Sequence, residues 1–137
     1  MNASRVKGAR AACAGADATT RRTGALWEDA ALAHAVRNGL QLIERNFTCR
    51  FGEIDLVLRD GSTLVFAEVR YRGDADRGGG TLSVGAGKRA KLVRAASLYL
   101  QAHPRWADQP CRFDVIGCAG TPLKPVFEWT RAAFDAF

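Results

Sequence analysis

The chain has 137 residues, of which 47% are hydrophobic and 25% charged, and it carries 14 glycines, 4 prolines and 4 cysteines. This composition is typical of a globular domain, and the length favours one domain with its own core. No apolar run approaches the roughly 18 residues of a membrane span, and no signal-peptide-like stretch follows the early basic residues. Because the cysteines at 13, 49, 111 and 118 lack CxxC spacing, they are expected to be reduced thiols of a cytoplasmic protein.

Charge is the most informative part of the composition. Lys and Arg number 20 against 14 acidic residues, which gives a net charge of +6 and an isoelectric point near 9.6. Sixteen of the basic residues are arginine, whose planar guanidinium suits phosphate and carboxylate groups. A domain this basic is typical of proteins that bind nucleic acid. A GC-rich genome that favours arginine codons gives the same composition, so the placement of the charges must decide between the two interpretations.

The N-terminal part of the chain divides into a tail and the start of a domain. Residues 1–22 are small, polar and basic without periodicity, and they are predicted to form a disordered tail. Such a tail is either a simple extension or an arm that binds nucleic acid. Residues 23–137 are predicted to form one domain, which opens with a helix over Gly24–Asn38. Thr23 caps this helix and Gly39 ends it.

Three strands are predicted to follow the first helix. The first covers Leu40–Cys49, and the other two form a hairpin within Gly52–Arg70. Both arms of the hairpin are rich in β-branched and large apolar residues, and Asp60-Gly61 between them is a favoured two-residue turn.

The second half of the chain continues the alternation of helices and strands. Residues 73–87 hold six of the 14 glycines and are predicted to form a mobile loop, followed by a helix over Lys88–His103. Two strands are predicted over Arg112–Cys118 and Val126–Trp129, and a terminal helix over Thr130–Phe137. The order α-βββ-α-β-β-α predicts one α/β domain with a mixed central sheet flanked by helices.

The hairpin is predicted to gather charged side chains. Centring it on the predicted turn sets Glu53 opposite Glu68 and Asp55 opposite Phe66. Because side chains alternate along a strand, Glu53, Asp55, Glu68 and Arg70 are predicted to project from one face. Asp55 and Glu68 are then diagonal neighbours, close enough to share a cation.

Two interpretations of this charged face remain open. Carboxylates placed together on an otherwise apolar sheet are costly unless a positive charge lies between them. A divalent ion supplies that charge, and oxygen-only ligands favour Mg²⁺ or Mn²⁺. Alternatively, Arg70 pairs with Glu68 and the face is a salt-bridged polar surface.

The hairpin and its surroundings resemble known nucleases. The segments G-E-I-D-L and V-F-A-E-V-R, about a dozen residues apart, are similar to the PD-(D/E)xK nuclease core. Over residues 24–137 the chain resembles the YraN family of uncharacterised, endonuclease-like bacterial proteins. The motifs that carry this resemblance are the G-x-x-x-E from Gly24 to Glu28, Arg45-Asn46, GEIDL, FAEVRYR, the K-x-x-K from Lys88 to Lys91, A-x-x-Y-L and the RFDV from Arg112 to Val115.

The resemblance implies a restriction-endonuclease-like fold and a set of site residues. Asp55 and Glu68 take the positions of metal ligands. Glu28 matches the helix carboxylate that resolvases of this superfamily add to the site, which makes it the third predicted metal ligand. Arg70 stands where these nucleases have a catalytic lysine. An arginine can bind phosphate and offset developing charge, but it cannot take a proton from water. Lys88 on the following helix is the alternative cation.

Basic residues near the glycine-rich loop form the predicted nucleic-acid surface, with the alternative that they are only a solvated helix end. The predicted contacts are Arg72, Arg77, Lys88, Arg89 and Lys91. These side chains could close over a phosphate backbone beside the site.

These observations favour a Mg²⁺-dependent endonuclease of the PD-(D/E)xK type that cleaves DNA, including branched or damaged DNA, with Arg70 in place of the motif lysine. The main alternative is a catalytically silent nucleic-acid-binding module that keeps the nuclease fold. A small scaffold protein without a nucleic-acid role is the third interpretation. The expected partner is DNA, the sequence is compatible with a homodimer, and no membrane association is expected.

Overall fold

The computed structural model describes residues 18–71 and 84–134, with side chains from residue 24 onward. The tail up to residue 17, most of the predicted glycine-rich loop and the last three residues lie outside this part of the chain. In chain order the described elements are α1 (Ala18–Arg37), β1 (Gln41–Cys49), β2 (Gly52–Asp60), β3 (Thr63–Tyr71), α2 (Ala86–Ala102), a short 3₁₀ turn (Pro104–Trp106), β4 (Cys111–Gly120) and β5 (Pro125–Phe134).

The five strands form one mixed sheet in the order β1-β2-β3-β4-β5. Strands β1 to β3 pair antiparallel, as do β4 and β5, whereas β3 and β4 are parallel. A parallel pair needs a crossover connection, and α2 lies within that connection. The predicted α/β class with a mixed sheet and flanking helices is therefore confirmed.

Each helix covers a separate apolar cluster. The α1-side core contains Trp27, Ala31 and Ala35 of α1 with inward residues of β2, β3 and β4, such as Leu56 and Ile116. The α2-side core is built on Leu92, Ala95, Ala96 and Tyr99 of α2, all four of which the helical periodicity predicts to be buried. Because the sheet is covered on both faces, its central strands are nearly continuous apolar runs.

The first helix is longer than predicted. It begins at Ala18, inside the stretch assigned to the tail, rather than after a cap at Thr23. No proline interrupts residues 18–24, and Gly24 lies inside the helix with open space around it. The predicted end is confirmed, because Gly39 has φ +94° and its N–H donates to the Val36 carbonyl. A glycine adopts this left-handed conformation without steric cost.

The predicted terminal helix over Thr130–Phe137 is wrong. Strand β5 continues to Phe134, which pairs with Phe113 of β4. Alanine-rich sequence favours a helix locally, but pairing with β4 and stacking of the two phenylalanine rings, 4.8 Å between centroids, override that preference. Residues 135–137 lie outside the described part of the chain.

The predicted hairpin exists, but its register differs by two residues. Asp60 pairs with Thr63, so Gly61-Ser62 is the turn and Gly61 supplies its positive φ of +63°. A shift of two keeps the side chains of β2 from Leu56 to Asp60 on their predicted faces, since strand side chains repeat with period two. Continuing the observed register by one pair beyond Leu56 sets Asp55 directly opposite Glu68 instead of diagonal to it.

The regular alternation of side chains is interrupted at Asp55. Leu56 belongs to the α1-side core, whereas Ile54, two residues away, belongs to the α2-side core. The register of β1 on β2 brings Asn46 opposite Asp55, and Asn46 has φ +53°. Asparagine tolerates this left-handed conformation better than most residues. Both strands therefore change faces at the same level, and Asp55 lies at that point.

None of the described helices is long and apolar enough to cross a membrane. Cys49, Cys111 and Cys118 are free thiols. Cys13 lies outside the described residues.

Candidate active site

The Asp55 carboxylate is the centre of the candidate site. It accepts a hydrogen bond of 2.8 Å from the main-chain N–H of Val69 on β3. Burial raises the pKa of Asp55 to about 7, and the carboxylates of Glu28, Glu68 and Glu53 add to the rise, while the Val69 bond opposes it. Elements that are remote in sequence thus bring four carboxylates within electrostatic reach of one another.

Glu28 reaches this group from α1, as the sequence predicts. Its Oε1 accepts hydrogen bonds from Nδ2 of Asn46 at 3.1 Å and from the guanidinium of Arg45 at 3.4 Å. Arg45 also pairs with Asp29, one residue further along α1, at 2.8 Å. Burial raises the pKa of Glu28, and the bond from Asn46 opposes that rise. The left-handed Asn46 therefore links the interrupted strand to the helix carboxylate.

Glu68 forms an ion pair with a lysine of α2. Its Oε2 lies 3.4 Å from Nζ of Lys88, the first lysine of α2, and the Glu68 side chain is 12% exposed. Arg70 follows two residues later on β3 and is half-buried. Since β3 pairs with β4 without irregularity, Arg70 projects to the same face as Glu68.

The carboxylates around Asp55 are candidate ligands for a metal ion. Among residues 18–71 and 84–134, no three His, Cys, Asp or Glu side chains form a group that could hold a metal ion. Mg²⁺, however, is usually held by one or two carboxylates, with water and substrate phosphates completing the shell. Asp55 and Glu68 fit that mode of binding, since burial raises the pKa of Asp55 and the neighbouring carboxylates of Glu28, Glu68 and Glu53 raise it further. Glu28 already accepts hydrogen bonds from Asn46 and Arg45.

The predicted nucleic-acid-binding residues fall into two sets. Lys88, Arg89 and Lys91 are exposed on the first turns of α2. Lys88 and Lys91 line a cavity of about 250 Å³ between α2 and the β1–β2 turn, together with Glu53. Arg72 and Arg77 lie outside the described residues.

A cationic–aromatic cluster beside this cavity was not predicted from the sequence. The guanidinium carbons of Arg50 and Arg94 lie 4.8 and 5.6 Å from the ring centroid of Phe51, at the β1–β2 turn. These distances are typical of cation–π interactions. The adjacent Arg50-Phe51 pair was the only signal in the sequence, and the approach of Arg94 depends on the packing of α2.

The RFDV motif forms a structural centre rather than part of the carboxylate site. Asp114 is 1% exposed and accepts hydrogen bonds from Arg112 and from Nε1 of Trp129. Arg112 also reaches Asp60 at 3.1 Å. A buried aspartate with these donors is satisfied without a metal ion.

Comparison with known proteins identifies the family of the chain. Residues 27–118 match the family described as "Uncharacterised protein family UPF0102". A UPF0102 protein of Stutzerimonas stutzeri (strain A1501) is 50% identical over 109 residues, which cover 80% of this chain and 91% of that protein. One from Xanthomonas campestris pv. campestris (strain B100) is 52% identical over 117 residues, covering 85% and 94%. One from Pseudomonas entomophila (strain L48) is 47% identical over 124 residues, covering 87% and 98%. These matches span nearly the whole folded domain, so the chain belongs to the UPF0102 family, which is the YraN family that its motifs resemble.

Proposed function

We propose that this protein is a metal-dependent nuclease with a restriction-endonuclease-like fold, which hydrolyses phosphodiester bonds in DNA, including branched or damaged DNA. The observation that carries the proposal is the half-buried Asp55 carboxylate, which lies near three other carboxylates and has its pKa raised to about 7. A strongly perturbed carboxyl group among like charges is more typical of a functional site than of a structural one. The lysines at the start of α2 supply phosphate-binding charge next to it.

The proposed metal ligands are Asp55 and Glu68. Glu28 lies nearby and adds negative charge that favours binding of a cation. Mg²⁺ or Mn²⁺ is the expected ion because the available ligands are carboxylate oxygens. When bound, such an ion supplies positive charge at the scissile phosphate and makes the attacking water more acidic.

The protein residues around the ion have separate tasks. The N–H of Val69 fixes the orientation of Asp55. Asn46 and Arg45 hold Glu28 on the inner side of α1. Arg70 offsets negative charge that develops at phosphorus, a task for which its permanent charge is suited. The exposed cations of α2 hold the phosphate backbone, and such contacts are independent of base sequence.

The alternative is a nucleic-acid-binding module that has lost catalysis. Two observations favour it: an arginine occupies the position of the motif lysine, and the described residues provide no group of three metal ligands. Under this interpretation the basic residues of α2 still bind DNA. The carboxylates would then be a remnant of the ancestral site.

A cleavage assay distinguishes these two functions. Purified protein is incubated with supercoiled plasmid, linear duplex, single-stranded DNA, RNA and a synthetic four-way junction, each with Mg²⁺, Mn²⁺ or EDTA. We expect metal-dependent cleavage of a DNA form that EDTA abolishes and that Asp55→Asn eliminates. Asp108→Asn is the matched control, since it makes the same substitution at an exposed position. Absence of cleavage on every substrate, with DNA binding retained, would establish the silent module.

A further inference from the structure

The ion pair between Lys88 and Glu68 joins α2 to the carboxylate site. Nζ of Lys88 lies 3.4 Å from Oε2 of Glu68, and the lysine side chain is 54% exposed. An ammonium group carries three N–H donors and no acceptor. One donor directed at Glu68 leaves two for a ligand that approaches from solvent. The lysine is therefore anchored at the site and accessible from outside.

The cavity next to this ion pair has the size and charge for a phosphate group. It measures about 250 Å³ and lies between the first turns of α2 and the turn from Phe51 to Glu53. Lys88 and Lys91, three residues apart on one helix, stand on the same side of it. Leu92 forms part of the wall. The lining carries two ammonium groups and the carboxylate of Glu53, and Lys88 keeps two N–H donors beyond its pair with Glu68 for an entering anion.

We propose that Lys88 is a catalytic residue that contacts the scissile phosphate, and that the cavity it lines with Lys91 seats this phosphodiester. The proposal rests on the proposed nuclease function and deepens it. In hydrolysis, the oxygen of water forms a bond to phosphorus and the bond to one ester oxygen breaks. Water releases a proton to solvent, and the departing oxygen takes one up. Lys88 stabilises the negative charge on the non-bridging oxygens while this exchange occurs.

The geometry favours Lys88 over Arg70 for this contact. Lys88 lines the cavity with a side chain that is more than half exposed, so its ammonium can bridge Glu68 and an entering phosphate. Arg70 lies on a central strand and is half-buried, where its side chain already has an interaction within the protein. The helix lysine thus supplies the ammonium group that the strand position lacks.

Single-turnover cleavage with Mg²⁺ tests the catalytic part of the proposal. We expect Lys88→Met to lower the rate constant at saturating DNA by about 10²-fold, the usual effect of removing one donor to a developing oxyanion. Lys88→Arg keeps the charge and should restore most of that loss. Lys124→Met removes an exposed lysine of the β4–β5 turn that is not among the residues lining the cavity, and it should leave the rate unchanged. Cleavage by Lys88→Met at the wild-type rate overturns the catalytic role while leaving the nuclease function intact.

Binding of thymidine 3′,5′-bisphosphate, measured by calorimetry, tests the phosphate site without any cleavage. We expect Lys88→Met and Lys91→Met each to weaken binding by about tenfold, the value of one charge-assisted hydrogen bond. Lys124→Met should bind as the wild type does. Unchanged affinity in both cavity variants overturns the phosphate site. An inert wild type that still binds the probe through Lys88 overturns the nuclease function and the catalytic role, but supports the cavity as the phosphate site.

Discussion

The main-chain N–H of Ala132 on β5 donates to Oδ1 of Asp114 on β4 at 3.0 Å. Ala132 has φ +49°, and the pairing of β4 with β5 is irregular at this level, between Phe113 and Val115. A bulge leaves main-chain groups without their usual partners in the sheet. The buried Asp114 carboxylate supplies one of those partners, and it holds Arg112 and Trp129 by its remaining lone pairs.

The first prediction concerns this buried aspartate. Asp114→Ala removes the acceptor of four donor nitrogens, two of Arg112 and one each of Trp129 and Ala132. Arg112 then keeps only its contact with Asp60 among these partners. We expect the free energy of unfolding to fall by about 3 kcal/mol, because breaking a buried charge pair is strongly destabilising. Urea denaturation followed by circular dichroism measures the change.

Two further variants control this measurement. Asp114→Asn retains an acceptor oxygen and should lose less stability than the alanine variant. Asp108→Ala removes a carboxylate of the same type at an exposed position and should change the stability by less than about 0.5 kcal/mol. A stability loss at Asp114 no larger than that at Asp108 would show that the carboxylate does not hold the bulge.

The sequence predicts this fold well where local and long-range forces agree. The arms of the hairpin around Leu56 and Phe66 are rich in β-forming residues and also lie in the sheet centre, so both signals predict strands. Over Thr130–Phe134 they conflict: alanine-rich sequence favours a helix, whereas β4 offers a partner strand. The pairing of β4 with β5 is a long-range interaction that local sequence patterns do not encode, so the prediction fails there.

Some features of the candidate site are likewise predictable from the sequence, and others are not. Asp55, Glu68 and Glu28 come from motif resemblance, and alternation alone places Asp55 and Glu68 on one face. The partner of Glu68 does not follow from the strand pattern, because it depends on how α2 crosses the sheet. The face change at Asn46 does not follow from the strand pattern either, because it depends on the left-handed backbone conformation of that one residue.

The second prediction is that the stability of the metal-free protein decreases as pH rises from about 4 to 7. The pKa of Asp55 is about 7 in the folded chain, against a model value of 3.8. The folded state therefore binds the proton more tightly, and its advantage is complete below pH 4 and lost as pH rises through 7. We expect Asp55→Asn to be more stable than the wild type by about 2–4 kcal/mol at pH 8, with no difference near pH 4.

Urea denaturation in EDTA at several pH values measures this difference. Asparagine can still accept the hydrogen bond from Val69, so the substitution removes mainly the charge. Asp108→Asn serves again as the exposed control. A stability difference between Asp55→Asn and the wild type that does not vary with pH would contradict a raised pKa at this carboxyl group.

The third prediction is that Mg²⁺ stabilises the protein most at high pH. A ligand that binds only the folded state raises the melting temperature, and carboxylates bind a metal ion only when deprotonated. Millimolar Mg²⁺ should raise the melting temperature at pH 8 by about 3–6 °C, and by less at pH 5. Asp55→Asn and Glu68→Gln should each abolish the shift, whereas Asp108→Asn should retain it. An equal shift in all variants would indicate ion binding elsewhere.

The fourth prediction concerns the exposed cations of α2. Replacing Lys88, Arg89 and Lys91 together with alanine should weaken DNA binding equally on unrelated sequences, because phosphate contacts carry no sequence information. The slope of the logarithm of affinity against the logarithm of salt concentration should decrease by about 2–3. Fluorescence anisotropy at several salt concentrations gives both values. Unchanged affinity would show that these residues are only a solvated helix surface.

The last prediction uses Arg70 to separate an enzyme from a silent binding module. If Lys88 supplies the catalytic ammonium, then Arg70 needs only to provide positive charge on β3, and either basic residue serves. We expect Arg70→Lys to change the cleavage rate by less than about tenfold, and Arg70→Met to slow it more, because the methionine removes the charge. DNA binding should remain close to wild type in both variants.

The double variant makes this prediction decisive. Arg70→Lys combined with Lys88→Met places the only ammonium group of the pair on β3, where the superfamily pattern expects it. If the strand position is equivalent to the helix position, this variant should recover much of the activity that Lys88→Met alone loses. An inert wild type together with an active Arg70→Lys variant would instead show that Arg70 marks a lost activity. Failure of the wild type and of every variant to cleave DNA or RNA with Mg²⁺ or Mn²⁺, while DNA binding persists, leaves the binding module as the function.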